Sequence, residues 1–106
     1  MVFLETSVFT RRVTEEMDDD SYQALQATLA EHPDAGDIIR HSGGIRKIRW
    51  NGSGRGKRGG SRIIYYWDFG DTILMLYLYR KNEQSDLSAE QLKTIRAIVE
   101  EYGNER

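Results

Sequence analysis

The 106 residues contain no cysteine. That removes disulfides, thiolate nucleophiles and cysteine metal sites together. No apolar run approaches the roughly 20 residues needed to cross a bilayer; the longest, Thr72 to Tyr79, suits a strand. The opening MVFLETSVF has neither a basic n-region nor a long apolar h-region, so a cytoplasmic protein with no membrane role is expected. His32 and His41 stand alone, without a second ligand at metal spacing, and no acidic pair adjoins the basic strands. No metal and no cofactor are therefore expected, and two-metal phosphodiester chemistry is disfavoured. One further absence is local: from Ile38 to Trp67 there is no Asp or Glu.

What fills that stretch is basic. It holds eight Lys or Arg, whereas the rest of the chain has 17 acidic against 7 basic residues, for a net charge of −2. Such segregation puts a positive field on one surface of an otherwise acidic molecule, as binding of a polyanion or an acidic partner requires. With 39% hydrophobic and 30% charged residues, residues 1–106 read as one globular domain with a modest core.

Along the chain, Val2-Phe3-Leu4 suits a first strand. Thr6 or Ser7 caps a helix with Phe9, Val13 and Met17 on one face. Asp18-Asp19-Asp20 suits the start of a second helix, where negative charge meets the positive end of the helix dipole; Tyr22, Leu25 and Leu29 form its buried stripe, and Pro33 follows its end. Asp34 to Gly44 reads as a connector anchored by Ile38 and Ile39. Ile45–Trp50, Ser61–Asp68 and Thr72–Tyr79 read as strands, the last with Leu74, Leu76 and Leu78 on one apolar face. Ser88-Ala89-Glu90-Gln91 fits a capping box opening a final helix with Gly103 at its end. The order is β-α-α-β-β-β-α, which predicts an α+β fold: an antiparallel sheet with helices covering one face.

Strand alternation then places Lys47 and Arg49, Arg62 and Tyr66, and Tyr77, Tyr79 and Lys81 on the face away from the helices. Asn51 to Gly60, with five glycines and three basic residues, borders it with Arg55, Lys57 and Arg58. Cations for phosphates and rings for stacking are what single-stranded nucleic acid needs. Gly54-x-Gly56-x-x-Gly59 matches a dinucleotide fingerprint in letters but precedes a strand, where the fingerprint must follow one and open a helix. Gly56-Lys57 fails as a phosphate-binding loop, because Asn51 stands for its first glycine and Arg58 for its Ser/Thr.

The runs GGIRKIRW, GRGKRGGSRIIYYW and LYRKNEQSDLS resemble the RelE/ParE toxin superfamily, and the HigB-like branch within it. The resemblance covers nearly the whole chain. It implies a RelE-like fold and a toxin of a type II toxin–antitoxin system that enters the ribosomal A site and cleaves mRNA without a metal. The partners it implies are a HigA-like helix-turn-helix antitoxin, the ribosome with its mRNA and rRNA, and operator DNA only through the antitoxin. Lys47 and Arg49 match the family's basic pair, Arg62 its strand arginine and Lys81 its later cation. RelE carries a tyrosine shortly beyond that cation; Asn82 to Ser88 has none, leaving Tyr79 or Tyr66 as substitutes. The implied chemistry is attack of a ribose 2′-hydroxyl on the adjacent phosphorus. Arg62 would stabilise the phosphoryl charge, Lys57 or Lys81 would move protons and Tyr79 would assist, while Lys47, Arg49, Arg55, Arg58 and Tyr66 would hold RNA. The rivals are a ParE-like gyrase inhibitor and an inactive toxin that only binds its antitoxin.

Overall fold

The computed structural model describes residues 1–51 and 60–105. Strand β1 (Val2–Glu5) leads into helices α1 (Ser7–Glu16) and α2 (Asp19–Glu31). Four strands follow, β2 (Asp37–Ile38), β3 (Arg46–Trp50), β4 (Ser61–Trp67) and β5 (Thr72–Arg80), and then α3 (Ala89–Glu105). Each helix start has the cap its residues call for. The Thr6 hydroxyl accepts the Phe9 N–H at 3.1 Å, and Asp18 accepts the Ser21 N–H at 2.8 Å. Ser88 and Gln91 close a reciprocal capping box, with bonds of 3.0 and 2.9 Å, which satisfies donors that a helix start otherwise leaves open.

The strands form one five-stranded sheet in the order β1-β5-β4-β3-β2. The α+β class and the β3-β4-β5 antiparallel meander stand as expected, but three features differ. The sheet is mixed, because β1 lies parallel to β5. The connector contributes a short edge strand, β2, on which Ile38 is 57% exposed instead of anchored. Helices cover both faces: α1 and α2 pack on Ile63, Tyr65, Ile73, Met75 and Leu78, and α3 packs on Ile64, Leu74 and Leu76 through Ile95, Ile98 and Tyr102. The physical reason lies in β4 and β5, whose residues are apolar on both sides and would expose one side if helices covered only the other. Helix α3 also runs through Gly103 instead of ending there.

A second departure is a bulge. Ile64 pairs with Tyr77 but Tyr65 pairs with Met75, so Leu76 is an extra residue on β5. Beyond it the alternation inverts. Leu78 joins Ile73 and Met75 under α1 and α2, while Tyr77 and Tyr79 move to the α3 side with Leu74 and Leu76.

Tyr65 ties the connector to this framework. Fully buried, its hydroxyl donates to the Pro33 carbonyl at 2.8 Å and accepts the Gly36 N–H at 2.8 Å. Gly36 sits so close that a Cβ there would lie 2.9 Å from the Lys47 carbonyl oxygen and 2.9 Å from the Tyr65 ring. Replacing Tyr65 by Phe strands both backbone groups. Urea unfolding of Tyr65→Phe is expected to show a loss of about 1–3 kcal/mol with an unchanged m-value.

Candidate functional site

The register of the three long strands assembles the cations. Arg49 on β3 stands opposite Arg62 on β4, which stands opposite Tyr79 on β5. Two residues along, Lys47, Ile64 and Tyr77 form the next row on the same face. Side chains directly opposite in an antiparallel pair lie about 5 Å apart at Cβ, so Arg49, Arg62 and Tyr79 make one contiguous stripe. Arg62 is 9% exposed, whereas Arg49 is open to solvent. Arg46, next to Lys47 in sequence, is on the opposite face. Its guanidinium donates to the Gly36 carbonyl at 2.7 Å and holds the connector.

Lys81 follows the last residue of β5, exposed and bonded through its N–H to the Gly60 carbonyl at 3.4 Å. Its turn is gripped by α1: Arg80 pairs with Glu16 at 3.1 Å, and Arg12 pairs with Glu83. Arg12 also donates to the Leu78 carbonyl, beyond the end of β1 pairing, and lies 5.2 Å from the centre of the Tyr77 ring. Arg55, Lys57 and Arg58 lie outside the described residues. Tyr66 is on the same face but four residues from Arg62, about 13 Å by strand rise, and packs into the α3 cluster. The face is thus not free of helices, as strand alternation alone predicts; α3 covers its Tyr66 end.

Two features of the site lay beyond sequence reasoning. One is Asp86, whose carboxylate accepts from Lys47 Nζ at 3.2 Å and from the Leu87 N–H at 2.8 Å. The Leu87 N–H first, and then Lys47, hold this carboxyl below its ordinary range. A face built from an acid-free stretch therefore receives an acid from 39 residues away. The only signal was its place just before the Ser88 cap. The other is the state of Tyr79. It is fully buried, and its hydroxyl makes no well-aligned hydrogen bond among the described residues, though Asp86 is near enough to act on it. Burial first, and the charge of Asp86 second, push its pKa up to about 12 against the pull of Arg62. It is a proton donor at neutral pH and not a base.

A family model described as the RelE toxin of the RelE/RelB toxin–antitoxin system matches residues 1–105. A solved structure of the E. coli toxin RelE, a mutant in the free state, is similar in fold. Its TM-score is 0.55 at 12% identity, covering 79% of this chain and 86% of that one.

The buried hydroxyl yields a pH prediction. Tyr79 has a higher pKa folded than its ordinary value near 10, so between about pH 10 and 12 the folded chain keeps a proton that the unfolded chain has released. That contribution to stability is fully present below pH 10 and is lost as pH rises through this window. Tyr79→Phe is expected to flatten the alkaline fall in urea midpoint across that window.

Proposed function

The chain belongs to the RelE toxin family, the toxin half of a toxin–antitoxin pair, and on that footing we propose that it is a ribosome-dependent endoribonuclease that cuts mRNA by metal-independent transesterification. The observation that best supports this reading is the stripe of Arg49, Arg62 and Tyr79 beside Lys47 on one sheet face. In the proposed reaction the 2′-hydroxyl gives its proton to solvent water as its oxygen attacks phosphorus, the P–O5′ bond breaks, and a 2′,3′-cyclic phosphate and a 5′-hydroxyl result. Negative charge builds on the phosphoryl oxygens. Arg62, held by strands on both sides, needs little reorganisation to meet it. Lys81, exposed at the rim, protonates the leaving oxygen, with Lys57 as the alternative. Tyr79 donates a hydrogen bond, and Lys47 and Arg49 hold phosphates with Arg55 and Arg58. Tyr66, packed under α3, is a support for the face more than a stacking platform.

In this reading the chain is a HigB-like toxin acting in the cytoplasm, and its antitoxin is a HigA-like helix-turn-helix protein through which it meets operator DNA. Its substrate is mRNA in the ribosomal A site, beside rRNA. A gyrase poison or a silent antitoxin binder would share the fold, because fold and chemistry are separable.

Mapping mRNA 3′ ends after adding the protein to a translating extract separates these readings. Codon-phased cuts are expected from the parent, falling on the order of 10²–10³-fold in rate for Arg62→Ala. Arrest without cuts would point to an inhibitor, and no effect to a binder. Parental cutting by Arg62→Ala would remove that residue from the mechanism.

A further inference from the structure

Lys47 does not face open water in the free protein; it faces the carboxylate of Asp86 at 3.2 Å. We propose that Asp86 is a specificity-determining residue of this face, an internal competitor that occupies the phosphate position at Lys47 and that RNA must displace. The proposal deepens the reading above and rests on it for the identity of the ligand.

Three observations support it. First, the carboxylate is delivered by a built segment. The Asp86 carbonyl accepts from the Gln84 amide at 2.8 Å, the Gln84 amide also donates to Gln91 at 2.8 Å, and Gln91 closes the cap of α3 with Ser88. The backbone that carries Asp86 is thereby tethered to α3, and a tethered anion competes at a fixed effective concentration. Second, the Asp86 side chain is 69% exposed and that of Lys47 30%. An ion pair this wet is worth at most a factor of a few, enough to bias binding and weak enough for a phosphate to displace. Third, the same carboxylate acts on the buried Tyr79 hydroxyl, where its charge and a hydrogen bond both favour the protonated phenol. Expelling Asp86 removes that interaction, and a phosphate oxygen in its place would restore it.

The consequence is discrimination by occupancy, since the same factor lowers the affinity of every strand but matters only where binding is unsaturated. An RNA strand meeting the face from solution has to expel Asp86 and gains little. A strand already positioned by other contacts loses the same small factor but is held regardless. The internal anion therefore discounts bulk RNA more than presented RNA.

The test measures binding of a 2′-O-methyl RNA oligonucleotide of mixed sequence, about ten nucleotides long and unable to react by this chemistry, across a salt series. The proteins are the parent, Asp86→Asn, Lys47→Gln and the double variant. Asp86→Asn is expected to bind about three- to five-fold tighter, with the slope of log K against log salt steeper by up to about 0.7, one single-strand phosphate contact. In the Lys47→Gln background the same substitution is expected to change neither quantity. Equal affinity and slope for parent and Asp86→Asn would overturn the proposal, as would weaker binding by Asp86→Asn. If Lys47→Gln still weakened binding in those cases, the RNA-facing reading would stand without it. Absence of binding by every form would overturn the RNA-facing reading together with the proposal.

Discussion

The extra residue in β5 decides what the cation face contains. Without Leu76 out of register, alternation would carry Tyr77 and Tyr79 beneath α1 and α2 with Met75, and would bring Leu78 up beside Arg62. Thr6 ties three events to that point. Its N–H donates to the Met75 carbonyl at 3.0 Å, its hydroxyl donates to the Leu76 carbonyl at 2.9 Å, and the same hydroxyl caps α1. The last rung of β1, the bulge and the first turn of α1 are therefore one junction. Past it β1 no longer pairs with β5, and Arg12 on α1 takes over by bonding the Leu78 carbonyl and shielding Tyr77.

Burial on both faces of the sheet has an electrostatic counterpart. Arg62 sits on the central strand with β3 and β5 on either side and is buried to 9% exposure, so its charge is felt through less water than that of Arg49. The ion pairs of α1 engage the end of β5 and the turn beyond it, not the face itself: Glu16 takes Arg80, and Arg12 takes Glu83. Arg80 and Arg12 are thus neutralised as structure, while Lys81 stays exposed. Arg46 and Arg49 show the same sorting within one strand, one spent on the connector and the other left at the surface.

How much of this was legible in the chain depends on the range of each interaction. The capping box of α3 and the start of α1 at Thr6 or Ser7 need residues three apart and are legible, whereas Asp18 is legible only as helix-start charge and not as the cap it proves to be. The pairing of Lys47 and Arg49 with Arg62 on one face followed from period-two alternation across two strands, and it holds in register. The bulge did not follow, since IIYYW and ILMLYLY are apolar at every position and carry no polar marker of which side each residue takes. The grouping of Leu78 with Leu74 and Leu76 failed for that reason, yet Tyr77 and Tyr79 were assigned to the right face because the inversion compensated. The parallel place of β1 and the placement of α3 on the second face were likewise hidden, as both depend on which edge and which face remain uncovered after the meander forms. Asp86 was hidden by distance alone. Arg55, Lys57 and Arg58, which composition assigned to the same surface, fall outside the described residues.

The arrangement also limits how the proposed reaction could draw its rate. Tyr79 keeps its proton until about pH 12, and the Asp86 carboxyl is held below its ordinary range. Neither is therefore matched to take a proton near pH 7, where a general base works best with a pKa close to the operating pH. What the face does supply is fixed positive charge: Arg62 pre-set by two neighbouring strands, Arg49 opposite it, and Lys47 behind a weak internal pair. Such a site is suited to stabilising charge that develops on phosphorus-bound oxygens and poorly suited to strong proton abstraction. On the reading proposed above, the barrier is lowered chiefly by electrostatics and by how the strand is presented. A requirement for the ribosome then has a physical basis, because a face without a strong base depends on a substrate already aligned for attack.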